Sequence, residues 1–249
     1  VRVVPKHLSS SVAVGLFFGI LAFYSIKTIA RNQAWESDYV LFTTDVETST
    51  NSAKCNTSAG GQMLDSALRI DNPQARDALI QQAIPYLKKG VSIHPRYWQG
   101  HILLGNALFN LERYQESMQA YEACLRMNKD MEDALINTEA LGQKALRMKD
   151  FAAAENIYST LLNYHPDKFS YSRNHAEALM NTGKVQEARL ILDTLFKKRP
   201  DDAQVNHLLG QLYGRFLPSP NTPGQNMQFF ITSKSYLEKA VALDSTNFG

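Results

Sequence analysis

Two segments of the chain repeat each other at a constant offset. Residues 149–167 read KDFAAAENIYSTLLNYHPD, and residues 183–201 read GKVQEARLILDTLFKKRPD. Small, large apolar and proline positions recur between them 34 residues apart, at Ala154 and Ala188, Leu161 and Leu195, and Pro166 and Pro200. A repeat of this length holds one pair of helices, which cannot bury its apolar face alone. The offset therefore predicts stacked helix pairs that share a continuous core.

The same frame extends in both directions along the chain. It predicts helix pairs that start near Trp98, Leu135, Phe169 and Ala203. An irregular first pair is predicted over 52–95, and prolines with a glycine predict a loop insertion at about 215–231. The period and the placing of small, aromatic and proline residues resemble the tetratricopeptide-repeat signature. Residues 52–249 are therefore predicted to form a tetratricopeptide-repeat solenoid of about five helix pairs.

The N-terminal part of the chain has a different pattern. Residues 8–26 read LSSSVAVGLFFGILAFYSI, nineteen residues without a charge. At about 1.5 Å per residue, such a helix nearly spans the roughly 30 Å hydrocarbon core of a bilayer. A soluble core helix would seldom be apolar on every face, and the apolar region of a signal peptide is usually shorter, roughly 7–15 residues. Residues 1–31 are therefore predicted to be a transmembrane helix with its flanks. The fold class is all-α, with one N-terminal transmembrane helix followed by the tetratricopeptide-repeat α-solenoid.

Residues 32–51 are predicted to form an amphipathic capping helix and a linker. Apolar residues recur there at helical spacing: Trp35, Tyr39, Phe42 and Val46. Trp35 has two interpretations. It packs inside this cap, or it anchors the chain at the membrane–water interface, where tryptophan is enriched. Basic residues flank the apolar run on both sides, so charge leaves the orientation open.

Composition and motifs exclude several function classes. The net charge of +2 gives no nucleic-acid footprint. The sequence has no phosphate-binding loop, nucleophile elbow or zinc motif, so no catalytic residue, cofactor or metal site is predicted. Cys124 occupies a slot where these repeats usually have alanine, which predicts a small buried thiol. Asn56 begins a formal glycosylation sequon, but it falls inside a predicted helix.

A groove is the remaining candidate site. In tetratricopeptide folds the first helix of each pair lines the concave face. Placed on this sequence, that rule selects polar, hydrogen-bonding positions: Gln99, Asn106, Asn110, Glu139, Gln143, Arg147, Arg173, Glu177, Asn181, His207, Gln211 and Arg215. A protein or peptide is the partner expected for such a groove, and a solvated surface is the alternative. Ile102 stands where a chaperone-tail clamp would need lysine, so a chaperone tail is not expected.

The junction after the apolar run carries a second resemblance. Residues 30–35 read ARNQAW, Leu41 and Phe42 follow in the short amphipathic helix, and residues 51–54 read NSAK before the repeats begin. This order resembles the C-terminal part of multi-pass GT-C-type glycosyltransferase-like membrane proteins with tetratricopeptide repeats. The likeness is to the transmembrane and tetratricopeptide-repeat O-mannosyltransferase group or a bacterial relative. Thr50 stands where that group usually has proline.

The resemblance implies a parent enzyme whose catalytic acidic residues lie in loops between earlier membrane helices, outside this chain. A lipid-linked sugar donor would serve that parent enzyme only. The repeats would face the periplasm or the secretory lumen, with membrane contact through residues 8–26. We expect the chain to be a piece of a longer protein and to act as the protein-binding arm of a membrane glycosyltransferase, with O-mannosyl transfer to protein as the implied reaction. The alternative is a membrane-anchored scaffold that assembles protein complexes and has no enzymatic activity.

Overall fold

The computed structural model describes residues 10–217 and 223–244, and these are helical apart from short connections. The helices are α1 Ser10–Asn32, α2 Asp38–Thr48, α3 Ala53–Ala67, α4 Pro73–Ile93, α5 Trp98–Asn110, α6 Tyr114–Met127, α7 Glu132–Arg147, α8 Phe151–Tyr164, α9 Phe169–Asn181, α10 Val185–Lys198, α11 Ala203–Gln211 and α12 Pro223–Leu243. A 3₁₀ turn, Gln33–Glu36, follows α1, and a π-helical turn, Leu212–Phe216, follows α11. No strand occurs among the described residues, so the predicted all-α class is confirmed.

The chain divides into two compact units, Val1–Ala107 and Leu108–Gly249. In the first unit α2 packs on α3, and α3 packs along α4. The close contact of α3 with α4 depends on Gly60, because a Cβ there would lie 2.6 Å from the Cγ of Leu87. Asn72 caps α4 by accepting the N–H of Ala75 at 2.9 Å, and Pro73 occupies the first turn, where its missing N–H costs no hydrogen bond.

Helix α1 contains the apolar run that is predicted to cross a membrane. Every side chain of α1 from Val12 onward is exposed. The stretch from Val12 to Glu36 is long and apolar enough to span a bilayer. A continuous apolar surface of this size is unusual on a protein surrounded by water alone. Residues 8 and 9 of the predicted run lie outside the described residues.

The structure overturns the interpretation that Trp35 packs inside the capping helix. Its side chain lies in the 3₁₀ turn and is 67% exposed, whereas Val46 on α2 is buried. The prediction assumed one continuous helix through both residues. Ser37 instead adopts an extended backbone (φ −154°, ψ 158°) and accepts the N–H of Val40 at 3.2 Å as the N-cap of α2. This break rotates the turn out of register with α2, so Trp35 does not share the buried face.

The same asparagine hydrogen bonding fixes the segment that precedes each of two first helices, α3 and α11. Asn56 on α3 and Asn206 on α11 are both at most 1% exposed. Each donates two hydrogen bonds from Nδ2 to carbonyl oxygens of its own entry segment. The acceptors are Thr50 (2.9 Å) and Ser52 (2.8 Å) for the first, and Pro200 (2.8 Å) and Asp202 (2.9 Å) for the second. Because Asn56 is buried and bonded, the sequon that it begins cannot carry a glycan in the folded chain.

In the second unit each helix packs on the next along the chain, from α6 to α12. Helices α5, α9 and α11 begin at Trp98, Phe169 and Ala203, where the repeat frame predicts starts. Helix α7 begins at Glu132, three residues before the predicted Leu135. The prediction was wrong there because the offset from α7 to α9 is 37 residues (169 − 132), so this repeat is three residues longer.

The turns inside three successive pairs share one geometry. Each contains a residue with positive φ, at Glu112 (58°), Lys149 (59°) and Gly183 (88°). Around each turn two N–H groups donate back to the end of the first helix, which closes a Schellman motif. In the α7–α8 turn the outer bond runs from the N–H of Asp150 to the carbonyl of Ala145 at 2.9 Å. Glycine is the residue best suited to this conformation, and only one of the three turns has it.

Small residues allow the two helices of a pair to approach closely. A Cβ on Gly142 of α7 would lie 2.8 Å from the Cζ of Tyr158 on α8, and a Cβ on Gly210 would lie 2.6 Å from the Cγ of Leu237. Ala154 on α8 is fully buried, as is Tyr158. The large side chain of one helix therefore fills the space that the small residue of its partner leaves open, as the repeat pattern predicts.

The last pair departs from the expected loop at 215–231. Helix α12 already begins at Pro223, and residues 218–222 lie outside the described residues. Proline is compatible with the first helical position, so Pro223 starts a helix here instead of extending the loop. The π-helical turn widens the end of α11, and Ser233 of α12 donates its hydroxyl to the carbonyl of Gly210 at 2.7 Å.

Candidate functional site

Three successive first helices of the second unit line one open cavity of about 420 Å³. Helices α7, α9 and α11 each contribute side chains from one face. The lining residues are Gln143, Leu146, Arg147, Arg173, Asn174, Glu177, Gln204, His207, Leu208 and Gln211. Two arginines, one carboxylate, four carboxamides and one imidazole therefore surround two leucines. We call this surface the groove.

The groove brings together six of the twelve predicted positions: Gln143, Arg147, Arg173, Glu177, His207 and Gln211. The other six do not line it. Asn181 instead donates its Nδ2 to the carbonyl of Glu177 on its own helix at 2.9 Å. The guanidinium of Arg215 lies 5.3 Å from the centre of the Phe216 ring. Gln99 and Asn106 belong to the first unit, Asn110 ends α5, and Glu139 lies next to Tyr171. That these positions bind a partner stays a prediction.

The floor of the groove is built from the packing core. Asn174 is buried to 8% exposure and donates its Nδ2 to the hydroxyl of Tyr158 at 2.9 Å. Burial raises the pKa of Tyr158 to about 12, so its hydroxyl keeps its proton and can serve as both donor and acceptor. Tyr158 is itself pressed against Gly142. The contact that closes the α7–α8 pair therefore also fixes the carboxamide at the bottom of the groove.

The charges of the groove are unequal. The lining has two arginines, Arg147 and Arg173, and a single carboxylate, Glu177, so its formal charge is +1 with histidine neutral. Burial raises the pKa of Glu177, and the nearby Arg173 guanidinium partly offsets this. Arg173 also points its Nε at the Oδ1 of Asn174, at a long 3.4 Å. The site thus presents two guanidinium groups whose donors exceed the acceptors available within the groove.

His207 is a neutral polar group in this setting. Burial lowers its pKa below the ordinary value, because the charged imidazolium is poorly solvated there. Its Nε2 lies 2.8 Å from the Nε2 of Gln211, one turn further along α11. In the neutral ring this nitrogen accepts the hydrogen of the Gln211 amide. The pair leaves the carbonyl oxygen of Gln211 free to accept another hydrogen bond.

Sequence reasoning missed four lining residues: Leu146, Asn174, Gln204 and Leu208. The prediction followed one line of positions spaced four apart along each first helix. The cavity also exposes the adjacent line, because residues three and four apart share one helix face. All four missed residues lie three residues from a predicted position: Leu146 follows Gln143, and Asn174, Gln204 and Leu208 precede Glu177, His207 and Gln211. Adding the neighbours three residues away in both directions would therefore have included them.

The remaining reactive side chains have structural settings. Cys124 is fully buried, and burial raises the pKa of its thiol to about 12, as expected for an inert cysteine. Asp202 accepts the N–H of Val205 at 2.9 Å as the N-cap of α11. His165 bonds the carbonyl of Lys129 through Nε2 at 2.8 Å. Among the described residues no group of histidine, cysteine and carboxylate side chains is arranged to hold a metal ion.

Two segments of the chain match models of the tetratricopeptide repeat. One match covers residues 99–131, and the other covers residues 145–212. The first contains nearly all of the α5–α6 pair, and the second contains α8 to α11. These segments are tetratricopeptide repeats. The groove lies on α7, α9 and α11, so most of its lining residues belong to the second match.

One curated relative is the protein O-mannosyl-transferase Tmtc3 of Drosophila melanogaster. It is 28% identical over 102 residues, which is 41% of this chain and 10% of that protein. The match therefore spans about a tenth of the relative's length.

Solved structures with a similar backbone include YrrB, a TPR protein described as having an unusual peptide-binding site. Its TM-score is 0.49 at 16% identity, over 83% of this chain and 93% of that one. MamA from Desulfovibrio magneticus has a TM-score of 0.47 at 14% identity, over 78% and 98% of the two chains. Likenesses at this level say nothing about what the chain binds.

Proposed function

We propose that this chain is the protein-binding arm of a membrane glycosyltransferase of the GT-C type. In this proposal α1 crosses the membrane, the repeats lie in the periplasm or the secretory lumen, and catalysis resides in segments outside this chain. The observation that carries the proposal is the similarity to an O-mannosyl-transferase in a chain whose exposed apolar helix leads into the repeats. O-mannosyl transfer to protein is the reaction that the similarity favours.

The groove supplies the binding surface in this proposal. Carboxamide side chains can donate and accept at once, so Gln143, Asn174 and Gln211 suit the alternating N–H and C=O groups of an extended polypeptide. Leu146 and Leu208 offer apolar contacts for its side chains. An extended segment exposes its own side chains to an enzyme, as a hydroxyl-bearing acceptor must.

The arginines define the preferred acceptor more narrowly. Arg147 and Arg173 lie in a groove with an excess of positive charge, and a guanidinium pairs with a carboxylate through two parallel hydrogen bonds. An acceptor segment with an acidic side chain satisfies these donors, whereas a basic segment leaves them unpaired and repels them. We therefore infer an extended, acidic polypeptide segment as the bound class.

Binding by the groove is tested with pairs of short extended peptides that differ in one central residue, aspartate or asparagine. Arg173→Gln should weaken binding of the aspartate peptide by about 1.5–3 kcal/mol, roughly 10–160-fold, because a charge-assisted hydrogen bond is lost. Arg126→Gln is the matched control, since Arg126 lies on α6 and is 62% exposed outside the groove. Fluorescence anisotropy gives both affinities. Equal binding of the two peptides to the unaltered chain would exclude an acidic acceptor.

The side of the membrane is tested with a membrane-impermeant thiol reagent. Asp167 lies in the exposed turn between α8 and α9, so Asp167→Cys is placed in a chain with Cys55→Ser and Cys124→Ala. The new thiol should react in intact cells or spheroplasts. A chain that keeps only Cys124 is the control, because its buried thiol should stay unlabelled even after the membrane is opened. Labelling of residue 167 only after the membrane is opened would place the repeats in the cytosol.

A cytosolic result would favour the second candidate, a membrane-anchored scaffold without enzymatic activity. The observation behind this candidate is that the matched repeat models account for α5, α6 and α8 to α11 with no reference to an enzyme. The two candidates then differ in one measurable respect. The scaffold would bind its partner from the cytosolic side, and loss of the groove arginines would leave protein glycosylation unchanged.

A further inference from the structure

The segment that joins the apolar helix to the repeats has a rigid geometry. The 3₁₀ turn continues α1 without a break, because Asn32 keeps right-handed helical backbone angles (φ −61°, ψ −26°). The helical run ends only at Ser37, where the backbone becomes extended. α1 and the turn therefore form one rod, which the extended backbone of Ser37 separates from α2. We call Asn32 to Ser37 the elbow.

Two contacts hold the elbow to the first unit. Ala34 in the turn is buried to 7% exposure, and the turn packs on α2. Arg31, at the end of α1, forms an ion pair with Asp45 of α2. Val46, the next residue on α2, is 4% exposed in a helix that packs on α3. The path from the repeats to the rod therefore runs through packed side chains and not through a flexible linker.

Trp35 is the exception in this packed elbow. Its indole is 67% exposed, although the residue before it, Ala34, is buried. Two cations precede it on the rod, Lys27 eight residues and Arg31 four residues before Trp35, and Arg31 is paired with Asp45. Indole and snorkelling cations are the side chains that favour the head-group layer of a bilayer.

The height of Trp35 along the rod agrees with that layer. Ile29 is the last large apolar side chain of α1 that is exposed, at 66%. Three α-helical residues and three 3₁₀ residues separate it from Trp35, a rise of about 10 Å at about 1.5 and 2.0 Å per residue. Helical side chains lean back toward the N-terminus, which brings the indole closer to the apolar run. The head-group layer extends roughly 5–7 Å beyond the hydrocarbon core, within reach of a side chain placed this way.

We propose that Trp35, together with Lys27, is an interfacial anchor that seats the elbow in the head-group layer of a lipid bilayer. The anchor and the buried Ala34 then hold the first repeat at a set height above the membrane. The inference rests on the part of the proposed function that places α1 across a membrane. It does not depend on the glycosyltransferase assignment or on the side that the repeats face.

The chain offers its own spectroscopic probe, because it has two tryptophans, Trp35 and Trp98. Trp98→Phe leaves Trp35 as the sole emitter, and Trp35→Phe leaves Trp98, which lies on α5 beyond the first pair, as the matched control. Both variants are reconstituted into phosphatidylcholine vesicles. Some vesicles contain lipid brominated near the ester end of the acyl chain, and others contain lipid brominated near the chain terminus. Flotation on a density gradient reports insertion independently of fluorescence.

For an interfacial indole, lipid brominated near the ester should remove about half or more of the Trp35 emission, and terminally brominated lipid should remove much less. The Trp98 emission should be unaffected by either lipid and sensitive to aqueous iodide. If the chain floats with the vesicles but Trp35 is quenched by iodide as strongly as Trp98 and not by brominated lipid, the anchor is refuted while the membrane span stands. If the chain does not float, the membrane span itself is refuted, and the anchor with it.

Discussion

The close contact between Gly142 and Tyr158 predicts that Gly142→Ala lowers the free energy of unfolding, although alanine favours a helix more than glycine does. On an exposed helix position, alanine is about 1 kcal/mol more favourable than glycine. At Gly142 the added Cβ would lie 2.8 Å from the Cζ of Tyr158 and 3.1 Å from the Cγ2 of Ile157. Tyr158 is fully buried and bonded to Asn174, so its ring cannot move aside without cost. Gly142→Ala should therefore destabilise the chain although it raises helix propensity.

The magnitude follows from three contributions. Overpacking a tight contact costs about 1–3 kcal/mol, and weakening the Tyr158–Asn174 hydrogen bond costs about 0.5–1.5 kcal/mol. The propensity gain of about 1 kcal/mol acts against both. The net loss for Gly142→Ala should be about 0.5–3.5 kcal/mol, the sum of these three.

The assay is urea unfolding of the full chain in detergent micelles, followed by circular dichroism. Ala140→Gly is the matched control, because Ala140 is exposed on the same helix and its change isolates propensity, at a cost of about 1 kcal/mol. Adding Tyr158→Leu to Gly142→Ala should recover part of the lost packing energy, which a double-mutant cycle measures. A Gly142→Ala chain as stable as the parent or more stable would show that Tyr158 yields easily, and the reasoning about the groove floor would fail with it.

Three further changes probe other parts of the fold. Ala154→Leu should cost about 1–3 kcal/mol in the same urea assay, because Ala154 is fully buried in the helix contact; an unchanged midpoint would contradict the repeat register. Gly183→Ala should cost about 1–2 kcal/mol from backbone strain alone, since its φ is +88° and no atom lies near the added Cβ; a gain in stability would show that the turn relaxes. Hydrogen bonds from Lys184 and Thr182 lower the pKa of Glu155, so its stabilisation is complete above the unfolded pKa of about 4.3 and is lost as pH falls through the folded value. Glu155→Gln should therefore show a shallower decline of the urea midpoint on acidification than the parent, and parallel declines would rule this out.

Much of the helical framework could be predicted from local sequence patterns. Small residues, large apolar residues and prolines recur at 34 residues, and α9 and α11 begin 34 residues apart, at 169 and 203, as this period requires. These features act within a few residues, as when Asp202 caps α11 or a residue with positive φ closes a turn. Such local interactions form whatever packs against the segment later. That is why the order and type of the elements were correct even where the start of α7 was wrong by three residues.

The groove was predictable only in part, because its shape depends on side chains from three helices and from the core beneath them. Gln143 and Arg147 could be assigned to a helix face from spacing alone. Spacing also puts Asn174 on a groove-facing line, three residues before Glu177, but it could not show that Tyr158, on another helix, holds this carboxamide at the floor of the groove.

The side to which Trp35 turns was likewise decided by tertiary structure. From its position in the sequence, Trp35 could have continued either the buried face of α2 or the exposed surface of α1. The extended backbone of Ser37 breaks the helix between Trp35 and α2, so Trp35 stays with the exposed surface of α1. Sequence by itself determined which elements form and in what order, because hydrogen bonding, capping and periodicity are local. Tertiary structure decided which side chains share a surface, because exposure depends on what packs against each helix.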